Sequence, residues 1–145
     1  MMALNFKMSE LLHSDIANMY HINNTTANQE HLDNMLNLIF YVLQPLRDIV
    51  KCPVVITGGY RSQALWQKLK DLGRNPAKNS QHLTGQAVDL VVPQKYLWEV
   101  FKIIKEQLPY DQLLYEYDTQ GHRWIHVSYN HGKNRHIFND NYKAN

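Results

Sequence analysis

The chain has 145 residues, of which 44% are hydrophobic and 19% charged, and its formal net charge is +2. This is the size and composition of one globular domain, so we predict a single domain over residues 1–145. The small net charge gives no support for a nucleic-acid partner. The single cysteine excludes an internal disulfide, and no uncharged apolar run is long enough to span a membrane.

Hydrophobic periodicity and turn residues predict helices early in the chain and strands later. Residues 1–29 are expected to form a helical or loop lead-in, and the segment 130–145 is expected to be a polar tail, strand or coil. We therefore predict an α+β fold with helices packed on a mainly antiparallel sheet. The predicted helices are 30–50 (kinked at Pro45), 62–72 and 94–107, and the predicted strands are 54–57, 87–92, 112–117 and 123–129.

Two predicted strands carry an ionisable residue inside an apolar run, namely Asp89 in 87–92 and His126 in 123–129. A buried carboxylate without a partner is costly, so Asp89 needs a cation nearby. Either residue alone is more typical of a satisfied core group. Together with His82 they make two imidazoles and one carboxylate, a set that suits catalytic zinc with one position left for water.

The predicted closing hairpin brings a further carboxylate to this group. If its turn is centred on residues 119–120, Leu114 faces His126 and Glu116 faces Trp124. Glu116 and His126 are then diagonal neighbours on one face, about 5–8 Å apart. A glutamate there can take a proton from a metal-activated water and pass it to a leaving amine. A register slip by one residue would instead leave Glu116 solvated on the outer face.

Four segments resemble, in order, the zinc peptidases of the M15 group. They are VVITGGYRS (54–62), SQHLTGQAVDL (80–90), YDQLLYE (110–116) and WIHVSY (124–129). The second carries the Ser-x-His-x-x-Gly-x-Ala-x-Asp signature of that group. Its members include D-alanyl-D-alanine carboxypeptidases, D,D-dipeptidases and phage endolysins that cut peptidoglycan stem peptides. The resemblance covers roughly residues 32–129 and implies the fold that these enzymes share with hedgehog N-terminal domains.

The resemblance also implies roles for individual residues. Arg61 would hold a substrate oxygen, either a stem-peptide carboxylate or the developing oxyanion, and a guanidinium suits both. The alternative for Arg61 is a surface ion pair with Asp48 or Asp71. Ser80 would hydrogen-bond near the site or cap a turn, and Tyr60 would contact substrate or pack. One zinc ion is implied per chain, and its ligands would be His82, Asp89 and His126.

The sequence departs from the family pattern at the catalytic acid. Several branches place this acid three residues before the second zinc histidine, where this chain has Arg123, which cannot act as a base. The YE pair that ends the first hairpin strand matches the acid of another branch. We therefore predict Glu116 as the catalytic base, with His122 as the alternative.

The predicted function is zinc-dependent hydrolysis of peptidoglycan stem peptides by a monomer. The cleaved bond would be a terminal D-Ala-D-Ala bond or an internal bond such as L-Ala–D-Glu. The alternative is a non-catalytic zinc domain that binds wall fragments or a protein. A nuclease, suggested by NHGKNRH at 130–136, is disfavoured by the low charge. The beginning of the chain lacks a signal-peptide pattern, so we expect cytoplasmic synthesis. Cytoplasmic synthesis is compatible with release of the enzyme to the cell wall on lysis, and also with a dipeptidase that acts in the cytoplasm.

Overall fold

Helices occupy most of the first half of the chain, and the strands concentrate in the second half. The computed structural model describes residues 4–144 and confirms the α+β class. The helices are α1 (Met8–Leu12), α2 (Asp15–Met19), α3 (Gln29–Leu38), α4 (Gln44–Val50), α5 (Gln63–Asp71) and α6 (Leu97–Gln107). The strands are β1 (Val55–Gly58), β2 (Ala87–Val91), β3 (Gln112–Tyr117), β4 (Arg123–Ser128) and β5 (Ile137–Lys143).

The long predicted helix 30–50 is divided rather than regular. A π-helical turn, Ile39–Leu43, joins α3 to α4, and Pro45 lies in the first turn of α4. Proline has no backbone N–H, and in a regular helix its ring collides with the carbonyl four residues earlier. The wider π turn accommodates the proline at this point, so helical structure continues through it.

The five strands form one sheet in the order β1-β2-β4-β3-β5. All neighbouring strands are antiparallel except β3 and β5, which are parallel. In the β3–β4 hairpin Leu114 pairs with His126 and Glu116 pairs with Trp124, which confirms the predicted register. The sheet is therefore mainly antiparallel, as predicted.

Alternation along the central strands separates a packed face from an open face. Val88, Leu90, Ile125 and Val127 are fully buried in the core formed with α3, α4 and α6. Burial of each such side chain contributes about 1.5–3 kcal/mol. Because successive strand residues point to opposite faces, residues at the other parity lie on the face away from the core. The polar residues at those positions form the site described below.

The C-terminal segment is more ordered than the sequence pattern indicated. Sequence analysis left residues 130–145 as a tail that could be strand or coil, whereas residues 137–143 form β5 beside β3. Similarly, the lead-in contains two short helices, α1 and α2. Within residues 4–144, no helix combines the length and apolar character that crossing a membrane requires.

Candidate active site

The three candidate metal ligands meet on the open face of the sheet. His126 Nδ1 lies 3.1 Å from Asp89 Oδ1, and His82 Nε2 lies 3.6 Å from Asp89 Oδ2. One ligand atom from each residue falls within 4.8 Å of the others, so the three can hold one metal ion. All three border a cavity of about 390 Å³, hereafter the first cavity.

Local structure explains how each ligand reaches this point. Asp89 on β2 and His126 on β4 are directly paired across the two strands. His82 lies on a 3₁₀ turn, Gln81–Thr84, which Ser80 caps by accepting a hydrogen bond from His82 N at 3.2 Å. Gly85 ends this turn with a φ of 75°, and a Cβ there would lie 2.7 Å from His31 O. Glycine is therefore required for the turn to fold back against α3.

The second nitrogen of His82 is already engaged. Its Nδ1 lies 2.8 Å from Gly59 O in a buried contact. A carbonyl oxygen only accepts, so Nδ1 must donate, and in the neutral ring Nε2 carries the lone pair. Nε2, the nitrogen left free for a metal, lies 3.6 Å from Asp89 Oδ2. This is the arrangement in which an outer carbonyl orients a histidine toward a metal.

The Asp89 carboxylate is held in its ionised form by the two histidines. Burial by itself would raise the pKa of Asp89. When the two imidazoles are protonated, the charge of His82, the hydrogen bonds from both rings and the charge of His126 outweigh burial and bring that pKa far below its usual range. The apolar strand β2 can therefore carry the Asp89 carboxylate. Its two partners, His82 and His126, come from neighbouring segments of the fold.

Arg61 borders the same cavity as the three candidate ligands. Within residues 4–144 its guanidinium forms no ion pair with Asp48, Asp71 or any other carboxylate. Burial lowers the pKa of Arg61, and the nearby charge of Asp89 partly opposes that shift. Arginine stays protonated throughout, so the site contains a half-buried cation available to a substrate oxygen.

A residue that sequence analysis missed holds the Arg61 segment. Asn24 is buried, and its Nδ2 donates to Leu12 O at 2.9 Å and to Tyr60 O at 2.8 Å. Its Oδ1 accepts from Ser62 N at 2.7 Å, so one amide binds the peptide groups on both sides of Arg61. The polar segment around residue 24 gave no signal of this role.

The Arg61 and His82 segments also support each other. Arg61 N donates to His82 O at 2.9 Å, while His82 Nδ1 donates to Gly59 O. A Cβ at Gly59 would lie 2.2 Å from Leu11 O. Only glycine allows the backbone to approach α1 this closely, and this approach places the carbonyl that orients His82.

Glu116 lies in the first cavity with the three candidate ligands. Burial and the charge of Asp89 raise its pKa, although the charge of His126 and a hydrogen bond from Trp124 partly offset this. Trp124 Nε1 donates to Glu116 Oε2 across the β3–β4 pair. A carboxylate with a raised pKa, held by one directional donor, is suited to accept and return a proton.

The other predicted residues have less direct positions. His122 is 70% exposed at its side chain and pairs with Asp118 at 2.9 Å in the hairpin turn, outside the first cavity. Arg123 lies over the rings of Tyr115 and Tyr117. Ser80 caps its turn and borders the first cavity.

Tyr60 belongs to the core. The residue is 7% exposed, and its ring lies 5.7 Å from the ring of His31. Tyr60 also lines a cavity beside Arg61 and Gly58, so contact with a substrate stays a prediction.

The C-terminal segment closes one side of the first cavity. Arg135 and Tyr142 both line it, together with Gln112 on β3. Arg135 is anchored by Asp111, which is 1% exposed and accepts from the Arg135 backbone N at 2.8 Å and from Arg135 Nη2 at 2.8 Å. Sequence analysis did not identify this pair, because the two residues are far apart in the chain.

Comparison with known proteins gives one family assignment. No curated protein matches the chain. The family model described as Peptidase M15 matches residues 4–128, which is most of the chain and includes the three candidate ligands, Arg61 and Glu116. Peptidases of this family are metal-dependent, in agreement with the ligand cluster. The chain is therefore a member of the Peptidase M15 family.

Proposed function

We propose that this protein is a zinc-dependent peptidase that hydrolyses the stem peptides of peptidoglycan. The observation that carries the proposal is that His82, Asp89 and His126 converge in one cavity beside Glu116. Membership in the M15 family supports peptide hydrolysis as the reaction class. The identity of the metal and of the peptide is inferred from the chemistry of the site and from the resemblance of its motifs.

The donor set fits zinc. Two imidazoles and one carboxylate are a common set for catalytic zinc, and three protein ligands leave a position open. The hydrogen bond from His82 Nδ1 to Gly59 O fixes the tautomer that ligation requires. When bound, zinc supplies Lewis-acid activation of a water molecule and of the substrate carbonyl.

The residues of the chain account for the proton transfers. Glu116 takes a proton from the attacking water and returns it to the nitrogen of the leaving amine. Its raised pKa makes the protonated form accessible after the first transfer, and Trp124 holds the carboxylate in place. Arg61 binds a substrate oxygen, where its positive charge also stabilises negative charge that develops at the carbonyl.

Stem peptides carry free carboxylates, and a cationic group in a partly buried site favours such substrates. Arg61 has that character, since no carboxylate of residues 4–144 neutralises it through an ion pair. The reaction is then cleavage either of a terminal D-Ala-D-Ala bond or of a bond inside the stem.

The test measures zinc content and hydrolysis in the same samples. Wild-type protein, His82→Ala and the control His122→Ala are purified, analysed for bound metal, and incubated with purified peptidoglycan. We expect about one zinc per chain in the wild type and in His122→Ala, and loss of zinc and of new amino termini in His82→Ala. Equal zinc in all three proteins would refute the ligand set.

A non-catalytic zinc domain is the second candidate function. It is favoured by Arg123, which stands where several family branches carry the catalytic acid. In the same experiment, zinc that is lost from His82→Ala without cleavage by any of the three proteins would support this binding function over the peptidase.

A further inference from the structure

Tyr142, on the C-terminal strand β5, lines the first cavity together with the three candidate ligands and Glu116. It lies beyond residue 128, where the match to the family model ends, and its sequence surroundings indicated no role. Among the described residues, Tyr142 and Ser80 carry the only hydroxyl groups that line this cavity. Ser80 already caps the turn of His82, so Tyr142 supplies the hydroxyl that has no other assigned use.

Strand pairing places Tyr142 directly beside Glu116. β5 runs parallel to β3, and these two residues are partners in the register. Partners on neighbouring strands lie on the same face of a sheet, and such strands are about 4.8 Å apart. Gln112 and Leu114, which share the face of Glu116 on β3, also line the first cavity. Tyr142 therefore extends this row of side chains by one strand.

A bulge in β5 decides which of its residues reaches that face. Leu114 pairs with Asn139. Two residues further along β3, Glu116 pairs with Tyr142, which is three residues further along β5. The extra residue reverses the alternation of β5, as a bulge does. With an unbroken register, Asn141 would lie beside Glu116 and Tyr142 would lie on the opposite face.

Two side-chain contacts hold the bulge in this form. Asn139 Oδ1 accepts a hydrogen bond from Asn141 N at 2.9 Å, and Asn141 Oδ1 accepts one from Arg123 Nη2 at 3.0 Å. Arg123 is one residue out of step with the β4 positions that line the cavity, so it lies on the opposite face. The side chain of Asn141 is thus bound away from the cavity, and the next residue, Tyr142, lies on the cavity side.

A phenol hydroxyl at this position is suited to a peptide group of the substrate. The hydroxyl is a neutral donor, and Tyr142 is partly exposed, so the cavity is accessible to it. Two other donors in the wall, Gln81 and Arg135, already bond to Asp111. On the Glu116 side of the cavity, Tyr142 is therefore well placed to bind a substrate carbonyl.

We propose that Tyr142 binds the substrate, and that its hydroxyl donates a hydrogen bond to a backbone carbonyl of the peptide beside the bond at which Glu116 acts. This rests on the proposed peptidase function and adds a substrate-binding residue from outside the part that the family model matches. Tyr142 keeps its proton, and no bond to it forms or breaks. The contact is the same in the bound substrate and in the transition state, so its loss weakens binding and leaves the chemical step unchanged.

The experiment removes one hydroxyl at a time. Tyr142→Phe and the control Tyr117→Phe are compared with the wild type for zinc content, thermal stability, and kcat and KM on solubilised peptidoglycan. Tyr117 is the neighbour of Glu116 on β3 and lies on the other face, outside the first cavity. We expect Tyr142→Phe to raise KM by about fivefold with kcat within about twofold of wild type, and Tyr117→Phe to change neither.

A binding measurement separates substrate contact from an effect on the fold. Solubilised peptidoglycan is titrated calorimetrically into Glu116→Gln protein with and without Tyr142→Phe. We expect Tyr142→Phe to lower the affinity by about fivefold at unchanged zinc content and thermal stability.

Two results would overturn the role of Tyr142 and leave the peptidase function in place. One is a wild type that cleaves peptidoglycan and a Tyr142→Phe variant with the same KM and affinity. The other is a fall in kcat at unchanged KM, because it would place the contact in the transition state alone. If the wild type cleaves no peptidoglycan, the proposed function fails, and the role of Tyr142 fails with it.

Discussion

Two segments flank the candidate site, and each is held by one buried polar side chain, but the chemistry of the two differs. On one side, Asn24 binds the peptide groups around Arg61 through three hydrogen bonds. On the other, Asp111 accepts hydrogen bonds from Gln81 and from the backbone and guanidinium of Arg135. The first support is neutral, and the second depends on charge.

Because only one of the two supports is charged, the two segments respond differently to pH. An amide both donates and accepts and does not titrate, so the Asn24 support is independent of pH. Burial would raise the pKa of Asp111, but the hydrogen bonds from Arg135 and Gln81 and the charge of Arg135 lower it overall. The side-chain contacts that hold Arg135 beside the first cavity thus depend on an ionised Asp111, whereas the backbone bond from Ile137 N to Asp111 O does not.

The largest expected effect comes from removing the proposed chemistry while both supports stay in place. Glu116→Gln retains the shape of the side chain but cannot accept a proton. We expect kcat on peptidoglycan to fall by about 10²–10⁴-fold, with zinc content and thermal stability close to wild type. His122→Ala is the control because this side chain is exposed and lies outside the first cavity. Full activity in Glu116→Gln would exclude Glu116 as the base.

Removal of the neutral support is expected to affect both activity and stability. Asn24→Ala leaves Tyr60 O and Ser62 N without their partner, which costs about 1–3 kcal/mol of unfolding free energy. Because Arg61 is then less well placed, we expect kcat/KM to fall by up to about 10²-fold. Urea unfolding and steady-state kinetics measure the two effects.

Asn24→Asp serves as the comparison of equal size for the alanine variant. It keeps the acceptor for Ser62 N, but it loses the two donated bonds and turns a carboxylate toward the carbonyl oxygens of Leu12 and Tyr60. We therefore expect it to lose at least as much unfolding free energy as Asn24→Ala. If the alanine variant lost stability but kept wild-type kinetics, Asn24 would have only a structural role.

Removal of the charged support is expected to have a smaller effect on activity. Asp111→Asn replaces one carboxylate oxygen by an amide NH₂ group, which faces a donor of Gln81 or Arg135 and cannot accept from it. We therefore expect a loss of about 1–3 kcal/mol of unfolding free energy. Asp111 does not line the first cavity, and the three candidate ligands keep their contacts. We therefore expect a fall in kcat/KM smaller than that of Asn24→Ala. A larger fall would show that the C-terminal wall matters more than the Arg61 segment.

The smallest effect is a difference in pH dependence between the two supports. A carboxylate whose pKa is lowered by folding stabilises the folded state above its unfolded pKa, which is about 3.9, and this contribution is lost as the pH falls through the folded value. The destabilisation caused by Asp111→Asn should therefore shrink as the pH falls below about 4, while that of Asn24→Ala stays constant. Urea unfolding of the chelator-treated proteins at several pH values tests this, and parallel curves for the two variants would contradict it.

The hairpin shows what local pattern can predict. Apolar alternation in the predicted strands 112–117 and 123–129 and the turn between them were sufficient to pair Leu114 with His126 and Glu116 with Trp124. The period of a strand is two residues, so one correct turn places every side chain of both strands on its face. The predicted helix 62–72 is likewise found as α5, and Ser62 is its N-cap, with a side chain that accepts from Leu65 N.

The C-terminal strand shows where local pattern fails. Most residues of β5 are exposed, and its sequence has no apolar alternation. It forms a strand because β3 offers it an unpaired edge and because Asp111 fixes the segment just before it. Neither condition can be recognised within the segment itself.

The sequence by itself determined the residue types of the site, their order along the chain and the strand faces that carry Asp89, Glu116 and His126. These follow from periodicity and turn chemistry, which act over a few residues. Only the tertiary structure decided that Asn24 meets Tyr60 and Ser62, that Asp111 meets Arg135, and that two cavities share Arg61, His82 and Asp89 in their walls. Such contacts join residues distant in the chain, and they depend on how whole elements pack rather than on any local preference.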